Sequence, residues 1–239
     1  MGNDTKIAGV LGGMGPEATV DFMAKVIALT PSHKDQDHVR MMVDHNPAVP
    51  DRQLALLSGG DDPGPVIASM AAGLQAAGAD FLVMPCNTAH AYLESMLAAI
   101  SIPFVSIIDL TVEACHEFES AGLLATAGCL RTGIYQEALA ASNINAVLAS
   151  EAELDELMRL IGLIKAGERD EAIPAQMRLL AEAQINKGAQ AIIAACTEIP
   201  LVLNDSMLNV PLVSSTDVLA AATVSFASGA MPLPVTYQE

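Results

Sequence analysis

The sequence predicts an α/β protein made of two similar parallel-sheet, three-layer α/β domains related by pseudo-twofold symmetry, with an active site in the cleft between them. Three observations predict it. Short β-like runs alternate with amphipathic helical segments, the apolar residues are almost all aliphatic, and the second half of the chain repeats blocks of the first. Of 239 residues, 52% are hydrophobic, 16% charged and only 3% aromatic, with no Trp. Such a chain fills one large domain or two of about 110–120 residues. Its core must be Ala, Val, Ile, Leu and Met, the usual filling between helices and a buried parallel sheet.

Taken in order, "KIAGVLGG" is a strand entering a glycine turn, and "PEATVDFMAKVIAL" is the following helix, with Pro16 suited to its first turn. "VRMMVDHN" is a second strand. "VIASMAAGLQAAGA" is a helix with Gly78 near its C-terminus, and "DFLVMP" is a third strand. "NTAHAYLESMLAAI" reads as helical. Much later "AIIAA" is a strand followed by helix-like "TEIPLVL".

The repeat is the more informative signal. "GADFLVMPCNTAH" (78–90) aligns with "GAQAIIAACTEIP" (188–200), so that Gly78/Gly188, Ala79/Ala189 and Cys86/Cys196 coincide at a shift of 110. "IPFVSIIDLTVEA" matches "VPLVSSTDVLAAA" at a shift of 108, pairing Pro103/Pro211, Ser106/Ser214 and Asp109/Asp217. "GVLGGMGPEATVDF" resembles "GLLATAGCLRTGIY" at a shift of 113, pairing Gly9/Gly122, Gly15/Gly128 and Thr19/Thr132. Three blocks in one order at nearly constant shift imply two duplicated α/β halves. The expected domains are 1–100 plus 212–228, and 101–211, with 229–239 as an irregular C-terminal tail.

Several function classes are excluded at this level. The net charge is −17 and the eleven basic residues are scattered, so the surface repels phosphate backbones and nucleic acid is not the partner. The apolar runs are too short for a membrane span, and the start lacks the charged head and apolar run of a secretory signal. Four cysteines without regular spacing make no disulfide framework. The expectation is a soluble cytoplasmic protein with reduced thiols, whose apolar helices leave room for a homodimer. An anionic ligand would need particular Lys or Arg side chains to overcome the global field.

Cys86 and Cys196 each follow a strand and precede a helix-like segment, and in parallel α/β sheets ligands bind beyond the carboxyl ends of strands. A helix N-terminus favours thiolate over thiol, so both sulfurs are expected to ionise readily. If the halves face each other, the two thiols approach one ligand from opposite sides. That suits inversion of a carbon stereocentre, with a base on one face and an acid on the other. Each sulfur must come within roughly 3–3.5 Å of the reacting atom. The plainer reading of a cysteine after an apolar run is a core residue; it is accepted for Cys115 and Cys129, whereas duplication and position favour chemistry at Cys86 and Cys196. Zinc is unattractive, because neither key cysteine has Cys or His at ligand spacing apart from His90, four residues after Cys86. The turn "GVLGGMGPEAT" lacks both the G-x-G-x-x-G spacing and the P-loop Lys-Ser/Thr, and reads as a tight turn that lets Met14 approach a small ligand.

Together, "GVLGGMGPEAT", "NPAVPDR", "PCNTAH" and "CTEIPL" resemble the signatures of the cofactor-independent aspartate/glutamate racemases, in their aspartate racemase branch, over nearly the whole chain. The resemblance implies amino-acid racemisation of a small dicarboxylic substrate, with Cys86 and Cys196 as the acid/base pair and neither pyridoxal phosphate nor a metal. It implies that Asn87, Thr88 and Thr197 bind the α-carboxylate, that Arg52 grips the side-chain carboxylate, and that Lys165 in "GLIKAG" supports that contact. A bidentate Arg suits a carboxylate approaching an acidic protein. The plainer readings are a solvated loop charge for Arg52 and a helix-surface charge for Lys165. Glu198 either tunes Cys196 at the substrate site or caps the following turn. His90 bonds locally and receives no catalytic role. Ala127 and Cys129 stand where the family often has threonines.

Overall fold

The computed structural model describes residues 5–234; the first four residues and 235–239 of the expected tail lie outside it. The described chain forms two compact units, one built from the chain up to Ile107 and again from Thr216 onward, the other from Ile108–Ser215.

The first unit contains β1 (Ala8–Gly12), α1 (Pro16–Leu29), β2 (Met41–His45), α2 (Arg52–Ser58), α3 (Gly64–Ala76), β3 (Phe81–Val83), α4 (Leu93–Leu97) and β4 (Phe104–Val105). Its sheet runs β2-β1-β3-β4, parallel throughout. Following α5 (Ile107–Glu113), the second unit contains β5 (Ser120–Ala125), α6 (Ala127–Thr132), α7 (Ile134–Ala141), β6 (Asn145–Val147), α8 (Glu151–Lys165), α9 (Ala172–Asn186), β7 (Ala191–Ala195) and β8 (Leu212–Ser214). Its sheet runs β6-β5-β7-β8, again parallel, the same order as in the first unit. Finally α10 (Ser215–Ala227) returns to the first unit, where its end is held by Lys6 N–H donating to Ala227 O at 2.9 Å.

The units divide a few residues beyond the expected boundaries. Phe104–Val105 pairs with β3 and so belongs to the first sheet, and Leu212–Ser214 pairs with β7 in the second. The physical reason is that each edge strand completes its own sheet before the chain crosses over.

The central strands β1, β3, β5 and β7 are buried almost throughout, covered on both faces by helices. In the first unit Leu11, Ile67, Met70, Leu74, Leu82 and Phe104 share one core cluster; in the second, Leu124, Leu160, Ile164, Met177, Ile192 and Ile199 share another. The repeated glycines have a packing cause. A Cβ on Gly9 would stand 2.5 Å from Leu82 Cδ2, and one on Gly122 would stand 2.6 Å from Ile192 Cδ1, residues related by the same repeat. Pro16 opens α1 as expected, and Gly78, at φ +100°, takes the left-handed turn that ends α3. No helix among the described residues is long and apolar enough to cross a membrane.

Candidate active site

A sheet ordered β2-β1-β3-β4 reverses its winding direction between β1 and β3, and ligands enter α/β folds at that reversal, beyond the carboxyl ends of the strands. In the first unit those ends lead into Gly12–Gly13–Met14 and Met84–Pro85–Cys86. In the second unit β5 leads into Thr126–Ala127 and β7 into Cys196–Thr197. Each sheet thus delivers one cysteine to its own switch point.

Cys86 is 7% exposed and joins the core cluster that also contains Met14, Met84 and Ala89. Its N–H donates to Met84 O at 2.8 Å, turning the chain sharply out of the strand. Asn87 and Thr88 come next, both buried, and Gln53 from α2 reaches Thr88 Oγ1 with its Nε2 at 3.5 Å. The chain after Cys86 forms a short 3-10 turn, Thr88–Tyr92, ahead of the five-residue α4, rather than one continuous helix.

His90 holds this turn. Ile107 N–H donates to His90 Nε2 at 3.3 Å, so in the neutral ring Nδ1 carries the proton and donates to Cys86 O at 2.9 Å. The ring packs against Phe104 with centroids 5.4 Å apart. Burial lowers the imidazole pKa to about 4, opposed by the bond to Cys86, so the ring is neutral at physiological pH. The sequence gives His90 a local bond and no catalytic role, and the bond to Cys86 O, four residues back, is that local bond.

Arg52 opens α2 after Asp51, whose side chain accepts from Gln53 and Leu54 N–H as an N-cap. The half-buried guanidinium uses Nη1 to donate to Val49 O at 3.2 Å and Pro50 O at 3.0 Å, which ties it to its own loop. The glycine turn is shaped by packing. Gly13, at φ +90°, would place a Cβ 2.4 Å from the Asn46 carbonyl carbon, and its N–H donates to Thr19 Oγ1 at 2.9 Å. Met14, 2% exposed, lies in the core of this unit.

In the second unit Cys196 is also 7% exposed, with Thr197 and Glu198 buried beside it. Cys196 Sγ donates to Glu198 Oε2 at 3.0 Å, and Lys165, on the last turn of α8, reaches Glu198 Oε1 at 2.5 Å. The Glu198 carboxylate is therefore shared between a thiol and an ammonium. This corrects the expectation of a readily ionised thiol at Cys196. Burial pushes that thiol well above its usual pKa, the Glu198 charge adds to the effect, and Lys165 opposes it. The turn after Cys196 is only three residues of 3-10 helix, Ile199–Leu201, too short to supply a helix field. Nearby, Thr126 caps α6 by accepting from Cys129 N–H at 3.3 Å, and Ala127 N–H points at Met158 Sδ at 3.3 Å. Cys115 and Cys129 are core residues, essentially unexposed.

The structure thus gathers Cys86, Asn87, Thr88 and the Arg52 helix in one unit, and Cys196, Thr197, Glu198 and Lys165 in the other. Chemically, each set offers one sulfur able to exchange a proton at a strand end, with cationic side chains for carboxylates.

Comparisons with known proteins agree along most of the chain. A family model described as Asp/Glu/Hydantoin racemase matches residues 11–223. The chain is 33% identical over 224 residues to the broad specificity amino-acid racemase RacX of Bacillus subtilis (strain 168), covering 91% of this chain and 96% of that protein. Picrophilus torridus aspartate racemase matches with a TM-score of 0.81 at 33% identity, over 93% of this chain and 94% of that one. An aspartate racemase homologue from Pyrococcus horikoshii matches with a TM-score of 0.76 over 93% and 99% of the two chains, and at 22% identity that likeness is one of fold.

Proposed function

This chain belongs to the Asp/Glu/hydantoin racemase family and is an amino-acid racemase, and we propose that it interconverts L- and D-aspartate by proton transfer between Cys86, Cys196 and the substrate α-carbon. The observation that carries this reading is the matched placement of the two cysteines, one after β3 and one after β7, at the equivalent strand of two sheets with the same order. The reaction as written needs only protons. One cysteine, as thiolate, takes the α-hydrogen and becomes a thiol. The other, as thiol, gives its proton to the opposite face and becomes a thiolate. The product leaves with its configuration inverted, and the enzyme is ready for the reverse substrate.

The α-hydrogen is far less acidic than a thiol, so most of the rate must come from donors already in place around the developing charge. Asn87, Thr88 and Thr197 meet the α-carboxylate and the charge that spreads onto it. Arg52, its Nη1 occupied by loop carbonyls, turns the other edge of its fork to the side-chain carboxylate. Lys165 exchanges part of its contact with Glu198 for the same carboxylate, which lowers the cost of bringing a dicarboxylate to a protein of charge −17. Met14 closes the apolar side of the pocket. On this reading neither pyridoxal phosphate nor a metal takes part, and the apolar helices leave room for a homodimer in the cytoplasm.

A broader racemase accepting glutamate and other amino acids is the second reading, favoured by identity to RacX equal to that with the aspartate racemase. One methylene changes selectivity by only about 1–3 kcal/mol. Circular dichroism of L- and D-aspartate and glutamate incubated with the protein in heavy water tests both readings. Optical activity should decay to zero, with deuterium entering the α-position. Cys86→Ala and Cys196→Ala should each slow racemisation at least ~1000-fold without loss of fold. Full activity in either variant ends the two-cysteine mechanism, and no deuterium uptake into either amino acid with the wild type overturns both substrate readings.

A further inference from the structure

The carbonyl of each key cysteine is held, but by different chemistry in the two units. In the second unit Cys196 O accepts from Ile199 N–H at 3.0 Å, an ordinary 3-10 bond. In the first unit Cys86 O accepts from His90 Nδ1 at 2.9 Å, and the repeat sets Pro200, which has no donor, opposite His90. A buried imidazole has therefore taken up a task that the backbone performs in the duplicate.

We propose that His90 is a positioning residue for Cys86: it grips the Cys86 carbonyl while Ile107 N–H fixes its ring, and so sets the plane of the Cys86–Asn87 peptide. A trans peptide aims its N–H opposite its carbonyl. With the carbonyl drawn to His90, the Asn87 N–H is held on the other side, where it meets a ligand carboxylate, and the Cys86 side chain is fixed from the same peptide. This rests on the proposed role of Asn87 as a carboxylate donor. Three observations support it: the ring is 4% exposed, it makes two hydrogen bonds that permit a single tautomer, and it lies against Phe104 of β4. Burial holds its pKa near 4, so the grip does not change across the range in which a thiol titrates.

Two variants separate the two bonds. His90→Asn places an amide N–H near Nδ1 and keeps the bond to Cys86; His90→Gln places an amide oxygen near Nε2 and keeps the bond from Ile107. Each loses one hydrogen bond, so their melting temperatures should fall alike. The expected result is kcat within about threefold of wild type for His90→Asn and a roughly 10- to 100-fold loss for His90→Gln. Equal losses in both, or losses that track melting temperature, overturn the proposal.

A readout independent of turnover is alkylation of Cys86 by iodoacetate against iodoacetamide, followed by peptide mass spectrometry. Wild type and His90→Asn should favour the carboxylate reagent equally, and His90→Gln should lose about fivefold of that preference; an unchanged preference overturns the proposal. If the wild type racemises nothing yet this pattern holds, the assigned reaction fails and the role of His90 stands. If neither variant folds, the 15N shifts of the wild-type imidazole decide the matter: the Nδ1–H tautomer supports the proposal and Nε2–H refutes it.

Discussion

At the scale of single residues, the two cysteines differ although their positions match. Cys196 donates a hydrogen bond to a carboxylate that a lysine also holds, whereas the Cys86 carbonyl is held by a histidine. Glu198→Gln removes the negative charge beside Cys196 and leaves the Lys165 charge, so the thiol ionises at lower pH. The basic limb of the kcat/KM profile should move acidward, with kcat/KM at pH 8 reduced roughly tenfold. An unmoved limb would show that Glu198 does not govern that thiol. Two other buried groups limit stability. Below pH 6.5 the unfolded chain takes up a proton at His90 that the folded chain refuses until about pH 4. Stability therefore falls as pH drops through that window, by roughly 3 kcal/mol at its lower end. In alkali, the unfolded chain releases the Cys115 proton near pH 9, while burial pushes the folded thiol up to about 11. Stability is lost there as pH rises. Urea midpoints from pH 4 to 10 should trace a plateau between the two limbs, and His90→Asn should flatten the acid one.

At the scale of elements, α8 matters because its last turn carries Lys165 to Glu198. Its first turn is fixed by a capping box, in which Ser150 N–H donates to Glu153 Oε2 at 2.6 Å and Glu153 N–H to Ser150 Oγ at 3.4 Å. Ser150→Ala should cost about 1 kcal/mol, read as a lower urea midpoint at unchanged slope. Because α8 also buries Leu157, Leu160, Ile161 and Ile164, the helix survives and activity should change less than twofold. The segments after the cysteines show where sequence patterns mislead. "NTAHAYLESMLAAI" has a helical pattern, yet its first turn is 3-10, because the Cys86 carbonyl is committed to a side chain. "TEIPLVL" has Pro200, which cannot donate to a fourth-residue carbonyl, and the helix there stops at three residues.

At the scale of the whole molecule, charge and duplication set the remaining expectations. The proposed substrate, aspartate, carries a net charge of −1 at neutral pH, so a protein of charge −17 repels it at long range, and salt screens that repulsion. For aspartate, kcat/KM should rise about two- to threefold from 10 to 150 mM NaCl, while that for a neutral amino acid stays flat; a fall with salt would mean that local cations dominate the approach. Since enantiomers are equal in energy, kcat/KM must be the same in both directions for every variant. On the proposed two-thiol mechanism, the inequality between Cys86 and Cys196 can show only in kcat and KM taken separately.

Fold class, repeat and the matched strand-end positions of Cys86 and Cys196 were legible because each leaves a periodic or positional mark. Gly9 and Gly122 must be glycine where a neighbouring strand's side chain crosses, and Cys86 and Cys196 recur one sheet apart at the same strand end. By itself the sequence determined which residues lie at the switch points. Only the tertiary structure decided their chemistry, since the partner of a thiol or a carbonyl is chosen by packing. Lys165 and Glu198 are 33 residues apart, and His90 meets Ile107 across 17, and neither pairing leaves a local pattern for a reader of the chain to find.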